Sequence, residues 1–155
     1  MALITLNGAS INQSTANSHI STERYIQTGT QCTSWDDDGY CTNREPVYSW
    51  VGGYSANATI NGTVKAKQSN VFIQGKNPAL LGDSTVESDS YSLSSNERYA
   101  GGQHNNANGK VSSGNSKNVY IGGVLVATKD STIQTHANTS TTVKDGFSAN
   151  VYIGG

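Results

Sequence analysis

Asn70-Val71-Phe72-Ile73-Gln74-Gly75 recurs as Asn118-Val119-Tyr120-Ile121-Gly122-Gly123 and again as Asn150-Val151-Tyr152-Ile153-Gly154-Gly155. Leu3-Ile4-Thr5-Leu6-Asn7-Gly8 reads as a degenerate fourth copy. Each copy alternates with period two and ends in a Gly turn, the signature of a short strand. One face carries Ile4/Leu6, Val71/Ile73, Val119/Ile121 and Val151/Ile153; the other carries Thr5, Phe72, Tyr120 and Tyr152. Strands are therefore expected over 3–7, 70–74, 118–122 and 150–154.

The likeness extends past the strand. Residues 76–85 align with 124–132 if one residue is deleted. Val111 to Gly114 leads into the copy at 118–123 as Val143 to Gly146 leads into the copy at 150–155. A chain of 155 residues with such internal repetition is read as a single all-β domain, 1–155. Two stretches, about 20–57 and 84–101, interrupt the repeat and read as insertions.

Composition agrees with strands and turns. Only 34% of residues are hydrophobic and 14% charged, and Gly, Ser, Thr and Asn, which disfavour helix interiors, fill the remainder. Burial must come in short pieces, so a further stabilising device is expected. The net charge of -1 and the lack of a basic stripe argue against nucleic acid as a partner. The longest apolar stretch, Val124-Leu125-Val126-Ala127, is too short to span a bilayer. The start, Met1-Ala2-Leu3-Ile4-Thr5, does not read as a secretory signal. Cys32 and Cys41 flank Trp35-Asp36-Asp37-Asp38-Gly39, which reads as a hairpin turn. A cross-strand disulfide in an oxidising medium is favoured there over two free thiols.

The four strand copies enclose three intervals, and each holds one of the three histidines: His19, His104 and His136. His104 precedes Asn118 by 14 residues, and His136 precedes Asn150 by the same 14. If three similar units pack around a pseudo-threefold axis, equivalent imidazoles meet on it, an arrangement suited to zinc or iron. A metal would also supply folding energy that small polar loops lack. The fourth ligand stays open between Cys32, Cys41, water and a carboxylate such as Asp130.

Strand-Gly units followed by a loop histidine and a Gly-x-Ser-x-Asn-Val return resemble the PAAR-repeat proteins over about two thirds of the chain. The Pro-Ala-Ala-Arg tetrad corresponds to Pro78-Ala79-Leu80-Leu81, followed by Gly82-Asp83. Leu125-Val126-Ala127-Thr128 and Gly8-Ala9-Ser10-Ile11 are its weaker counterparts. The resemblance implies a small cone of short β-hairpins with pseudo-threefold internal repeats around an apical metal. By position its ligands are His19, His104 and His136. It also implies a non-enzymatic tip, monomeric on its own, that caps a homotrimeric β-helical spike in one copy per trimer. Such a tip meets the target cell's outer membrane transiently. It belongs to a phage virion baseplate or a type VI secretion apparatus and is made in the cytoplasm without a signal peptide.

Two other classes compete. A carbohydrate-binding or adhesin module would use the Ser/Thr/Asn surface with Trp35 and Trp50 for sugar stacking. A metallohydrolase needs a general base fixed near its three histidines, and no His-Glu-x-x-His spacing supplies one. Asp36-Asp37-Asp38-Gly39 lacks the downstream Glu of a calcium loop and reads as a solvated turn.

Overall fold

The computed structural model describes residues 1–154. Gly155, the last residue of the third Asn-Val-aromatic-Ile copy, lies outside the described residues. No helix occurs among the described residues, so none is long and apolar enough to cross a membrane. The strands are β1 (Ala2–Thr5), β2 (Ser14–Trp35), β3 (Cys41–Lys65), β4 (Ser84–Ser90), β5 (Glu97–Gly101) and β6 (Asn105–Ala107). They continue as β7 (Lys110–Val111), β8 (Tyr120–Ile121), β9 (Val124–Leu125), β10 (Thr132–Gln134), β11 (Ser140–Thr142) and β12 (Phe147–Ile153). The chain is all-β, as the alternation and the poor helix formers dictate. It divides into two compact units.

The first unit comprises Met1–Asn17, Ala58–Ser90 and the chain from Gln103 onward. Its organising feature is a closed ring of three backbone hydrogen bonds. Thr5 N donates to Ala127 O (3.0 Å), Ala127 N to Ala79 O (2.8 Å) and Ala79 N to Thr5 O (2.9 Å). The flanking bridges close in the same cyclic order: Leu6 with Pro78, Leu80 with Val126, and Thr128 with Ile4. Thr5, Ala79 and Ala127 are thus equivalent positions of three repeats. One turn further on, Ala9 N, Asp83 N and Ser131 N bond back to Leu6 O, Leu80 O and Thr128 O. Gly8 and Gly82 hold equivalent places there, at φ of 84° and 87°, conformations that favour glycine.

This register corrects the alignment expected from sequence. Asn70 stands as far from Ala79 as Asn118 does from Ala127, so no deletion is needed. The tetrad Pro78-Ala79-Leu80-Leu81 corresponds to Val126-Ala127-Thr128-Lys129 and to Ile4-Thr5-Leu6-Asn7. Residues 3–8 are therefore not a fourth Asn-Val-aromatic-Ile strand but a copy of the strand that follows it. Their partner is β12, with Ala2 opposite Ile153, just as Ile73 bridges Lys76 and Ile121 pairs with Val124. Period-two alternation is common to both strands of each hairpin, and only the pairing tells them apart.

Two apolar clusters fill the unit. Ile4, Leu6, Leu80, Val126 and Ile153 form one, with Ile73 and Ile121 packed against it, so the Ile of all three copies converges there. Ala9, Ile11, Val64, Ala79, Val111, Ala127, Ile133 and Val143 form the other, with Phe147 against it. Small Ala side chains at the ring let the backbones approach closely enough to bond. The other face differs from simple alternation. Phe72, Tyr120 and Tyr152 are exposed, and so, in part, are Val71, Val119 and Val151. Residues 84–90, placed in an insertion above, are β4. It pairs with β3 from Thr59↔Ser90 to Lys65↔Ser84.

The second unit comprises Ser18–Asn57 and Tyr91–Gly102. Here β2 and β3 form a long ribbon, and β5 pairs with β2 from Ser21↔Gly101 to Arg24↔Glu97. The expected turn is present: Asp36 Oδ1 accepts from Asp38 N and Tyr40 N, and Gly39 takes φ of 83°. Cys32 and Cys41 are joined by a disulfide across it. An isolated ribbon has little to bury, and ring contacts take the place of a core. Tyr25 stacks on Tyr48 (5.7 Å between centroids) and lies 5.4 Å from Trp50. Arg98 covers Trp50 and Arg24 covers Tyr54.

Ile133 is fully buried in the second apolar cluster. Ile133→Ala is expected to destabilise the first unit by about 2–5 kcal/mol. Chemical denaturation followed by far-ultraviolet circular dichroism measures this, and the native spectrum should show strand without helix.

Candidate metal centre

The centre grows from the inward face of β4. Alternate residues of this strand, Thr85, Glu87 and Asp89, are buried at 0%, 1% and 6% exposure. In the other two repeats the position of Thr85 is held by Ile11 and Ile133, both in the apolar core. β4 therefore replaces an apolar interior with a polar one. Buried carboxylates are tolerated where hydrogen bonds, a cation or a metal compensate their lost hydration.

Glu87 is satisfied by protein donors. Thr85 Oγ1 donates to its Oε1, while His136 N (2.8 Å) and His136 Nδ1 (2.7 Å) bond its Oε2. Gly109 N in turn donates to Thr85 Oγ1 at 2.9 Å. Gly109 has no room for a side chain: a Cβ would stand 2.3 Å from Glu87 Oε1 and 2.5 Å from Gln134 O. Close packing of backbone around Glu87 thus fixes the carboxylate, and the carboxylate fixes the His136 ring.

His136 sits in the turn between β10 and β11. That turn is closed by Thr135 N to Thr139 O, and Asn138 takes φ of 60°. Its side chain is 9% exposed. Because an ionised carboxylate only accepts, the proton of a neutral His136 lies on Nδ1 and the lone pair on Nε2. Nε2 lies 2.9 Å from Asp89 Oδ1. A lone pair facing a carboxylate oxygen leaves a place between them for a shared proton or a metal ion. Asp89 is held from its other oxygen: His104 N donates to Oδ2 at 2.8 Å, and His104 Nδ1 lies 3.3 Å from it. Asp89 N donates back to His104 O, so β4 and the segment entering β6 clamp one another. The rings of His104 and His136 meet edge to face with centroids 5.1 Å apart.

Asp89, His104 and His136 each offer a ligand atom, and these atoms lie within 4.8 Å of one another. Two imidazoles and a carboxylate with a carboxylate-oriented ring suit a divalent transition metal. His104 and His136, expected as ligands from their common spacing, are thus brought together. His19 lies in β2 as the second residue of the other unit and is half-buried. Cys32 and Cys41 are tied in their disulfide and offer no thiolate. Asp130 is exposed and is not among the converging groups. Asp89 and Glu87 lie within 84–101, a stretch that the repeat alone reads as an insertion. The signal was present in the period-two spacing of Thr85, Glu87 and Asp89.

Gly109→Ala is expected to cost about 1–3 kcal/mol through overpacking against Glu87 and Gln134, read from thermal or chemical denaturation. The double variant Cys32→Ser/Cys41→Ser should keep whatever metal the parent carries, measured by elemental analysis of purified protein. Comparison with family models, curated proteins and solved structures finds no match to this chain.

Proposed function

We propose that the chain is a metal-stabilised structural tip that caps a trimeric β-helical spike, as the resemblance to PAAR-repeat proteins implies. The observation that carries this reading is the closed ring Thr5–Ala79–Ala127, which gives a single chain three equivalent faces. One copy with internal threefold repetition matches a true threefold partner without needing three copies of itself. The partner surface would use the pairs Val71/Phe72, Val119/Tyr120 and Val151/Tyr152, each exposed and one to each repeat of the first unit. Exposed apolar groups of this kind favour burial against a partner, and strand edges are commonly covered by pairing. The work is mechanical: a small, rigid body concentrates force on an outer membrane and needs no catalytic residue. Its place would be a phage baseplate or a type VI secretion apparatus.

The metal is zinc or iron in this reading. Within the first unit its ligands come from Asp89, His104 and His136, and the repeat in the sequence adds His19. The ion adds folding energy to a unit whose core is small.

A second reading, a carbohydrate-binding module, is favoured by one observation. Tyr25, Tyr48 and Trp50 stay 37–47% exposed, with Tyr25 stacked on Tyr48 and tilted against Trp50, and such rings accept sugar faces. A glycan array separates the two readings.

Native mass measurement of the protein with its cognate spike is expected to give one copy per spike trimer, and the protein alone should be a monomer. Three copies per trimer, or a stable homotrimer, would contradict the cap. The triple change Phe72→Ser/Tyr120→Ser/Tyr152→Ser should weaken the association roughly tenfold or more. Elemental analysis should find one transition-metal ion per chain. His136→Ala should remove it, with a stability loss well beyond the ~0.5 kcal/mol of ordinary surface changes.

A further inference from the structure

We propose that this centre is a thiolate-free, carboxylate-containing metal site, in which Asp89 is a direct ligand, His136 binds through Nε2, and Glu87 is the positioning residue that selects that nitrogen. The inference rests on reading the centre as a metal site and goes on to name its donor chemistry. Three observations carry it. Glu87 meets the Nδ1 side of His136 at 2.7 Å, so the ring presents Nε2 to the centre. Asp89 Oδ1 stands 2.9 Å from that Nε2, while Oδ2 is held by His104 N at 2.8 Å, so Asp89 projects one oxygen toward the imidazole lone pair. Both cysteine sulfurs of the chain are in the Cys32–Cys41 disulfide.

The placement of Glu87 is built rather than incidental. Its side chain is 0% exposed, it takes donors from Thr85 and from both the backbone and ring of His136, and Gly109 leaves the space it fills. A carboxylate on the far nitrogen of a ligating imidazole fixes the tautomer and orientation and raises the basicity of the ligand. A nitrogen and oxygen donor set suits borderline divalent ions such as zinc and ferrous iron. It offers nothing to soft ions that select thiolate, such as monovalent copper. Asp89 also brings a negative charge, so a divalent ion partly neutralises the buried anions where a monovalent ion would do so less.

The test uses the full chain, stripped of metal and titrated with cobalt(II) and zinc(II). Cobalt should give visible ligand-field bands without a thiolate charge-transfer band. In the zinc form, long-range proton–nitrogen spectra should show His136 protonated at Nδ1 and metal-bound at Nε2. Glu87→Gln keeps the shape and can still accept from His136 N and Nδ1. It should lower zinc affinity about 10–100-fold while leaving the denaturation midpoint of the metal-free protein near that of the parent. Asp89→Asn should lower affinity further and shift the cobalt bands. If the parent binds neither ion, the reading of the centre as a metal site fails. If it binds but Asp89→Asn leaves affinity and spectrum unchanged, or His136 is bound through Nδ1, the donor assignment alone is overturned. Glu87→Gln binding zinc as tightly as the parent would overturn its positioning role.

Discussion

Three backbone amides, on Thr5, Ala79 and Ala127, each donate to a carbonyl in the next member of the set. Any two of these segments alone leave one donor and one acceptor open, so the ring closes only when all three are present. The side chains follow from this constraint. All three ring residues, Thr5, Ala79 and Ala127, are fully buried, and two of them are alanine. The residues on either side form the flanking bridges and supply one apolar cluster, into which the Ile of each copy also packs. A chain with few large apolar residues thereby uses each of them in an equivalent place, where backbone hydrogen bonds and burial reinforce one another.

The departure from threefold equivalence is what makes the centre. Where two repeats place Ile11 and Ile133 in the core, the remaining one places Thr85, and beyond it come Glu87 and Asp89. The apolar interior gives way along β4 to a chain of polar contacts running from Gly109 through Thr85 and Glu87 to His136, then Asp89 and His104. Such a network is stable only when each member is satisfied. Backbone donors on Gly109, His136 and His104 do much of that work, so the position of each loop is tied to a carboxylate. The second unit solves the same shortage of apolar residues differently, with stacked rings, cations over rings and one disulfide.

The sequence announced the all-β class, because repeated six-residue strands and Gly turns are local signals. It also paired His104 with His136, because both lie at one distance from the strand that follows. The register was beyond it. Ile4 and Leu6 alternate as Val71 and Ile73 do, and nothing local says that residues 3–8 match 77–82 instead. Long β2 and β3 carry Thr, Ser and Asn on mostly exposed faces, so alternation was weak where the strands were longest. Glu87 and Asp89 were hidden for another reason: a carboxylate in a Ser/Asp-rich stretch reads as surface, and only β4 pairing with β3 turns it inward.

The hairpin of β12 and β1 joins residues from opposite ends of the described chain, with Ala2 opposite Ile153. It completes the third repeat with a strand that synthesis delivers after every other described strand. Until then two repeats can fold locally and the ring of Thr5, Ala79 and Ala127 can close, but β1 lacks its antiparallel partner. Closure carries the entropy of a loop spanning almost the whole chain, and contacts of such separation form slowly. A chain that does not yet include β12 therefore exposes the unpaired edge of β1. Covering that edge needs two segments about 150 residues apart to meet, so the last strand pair to form is also the one that hides the most exposed backbone of the first strand.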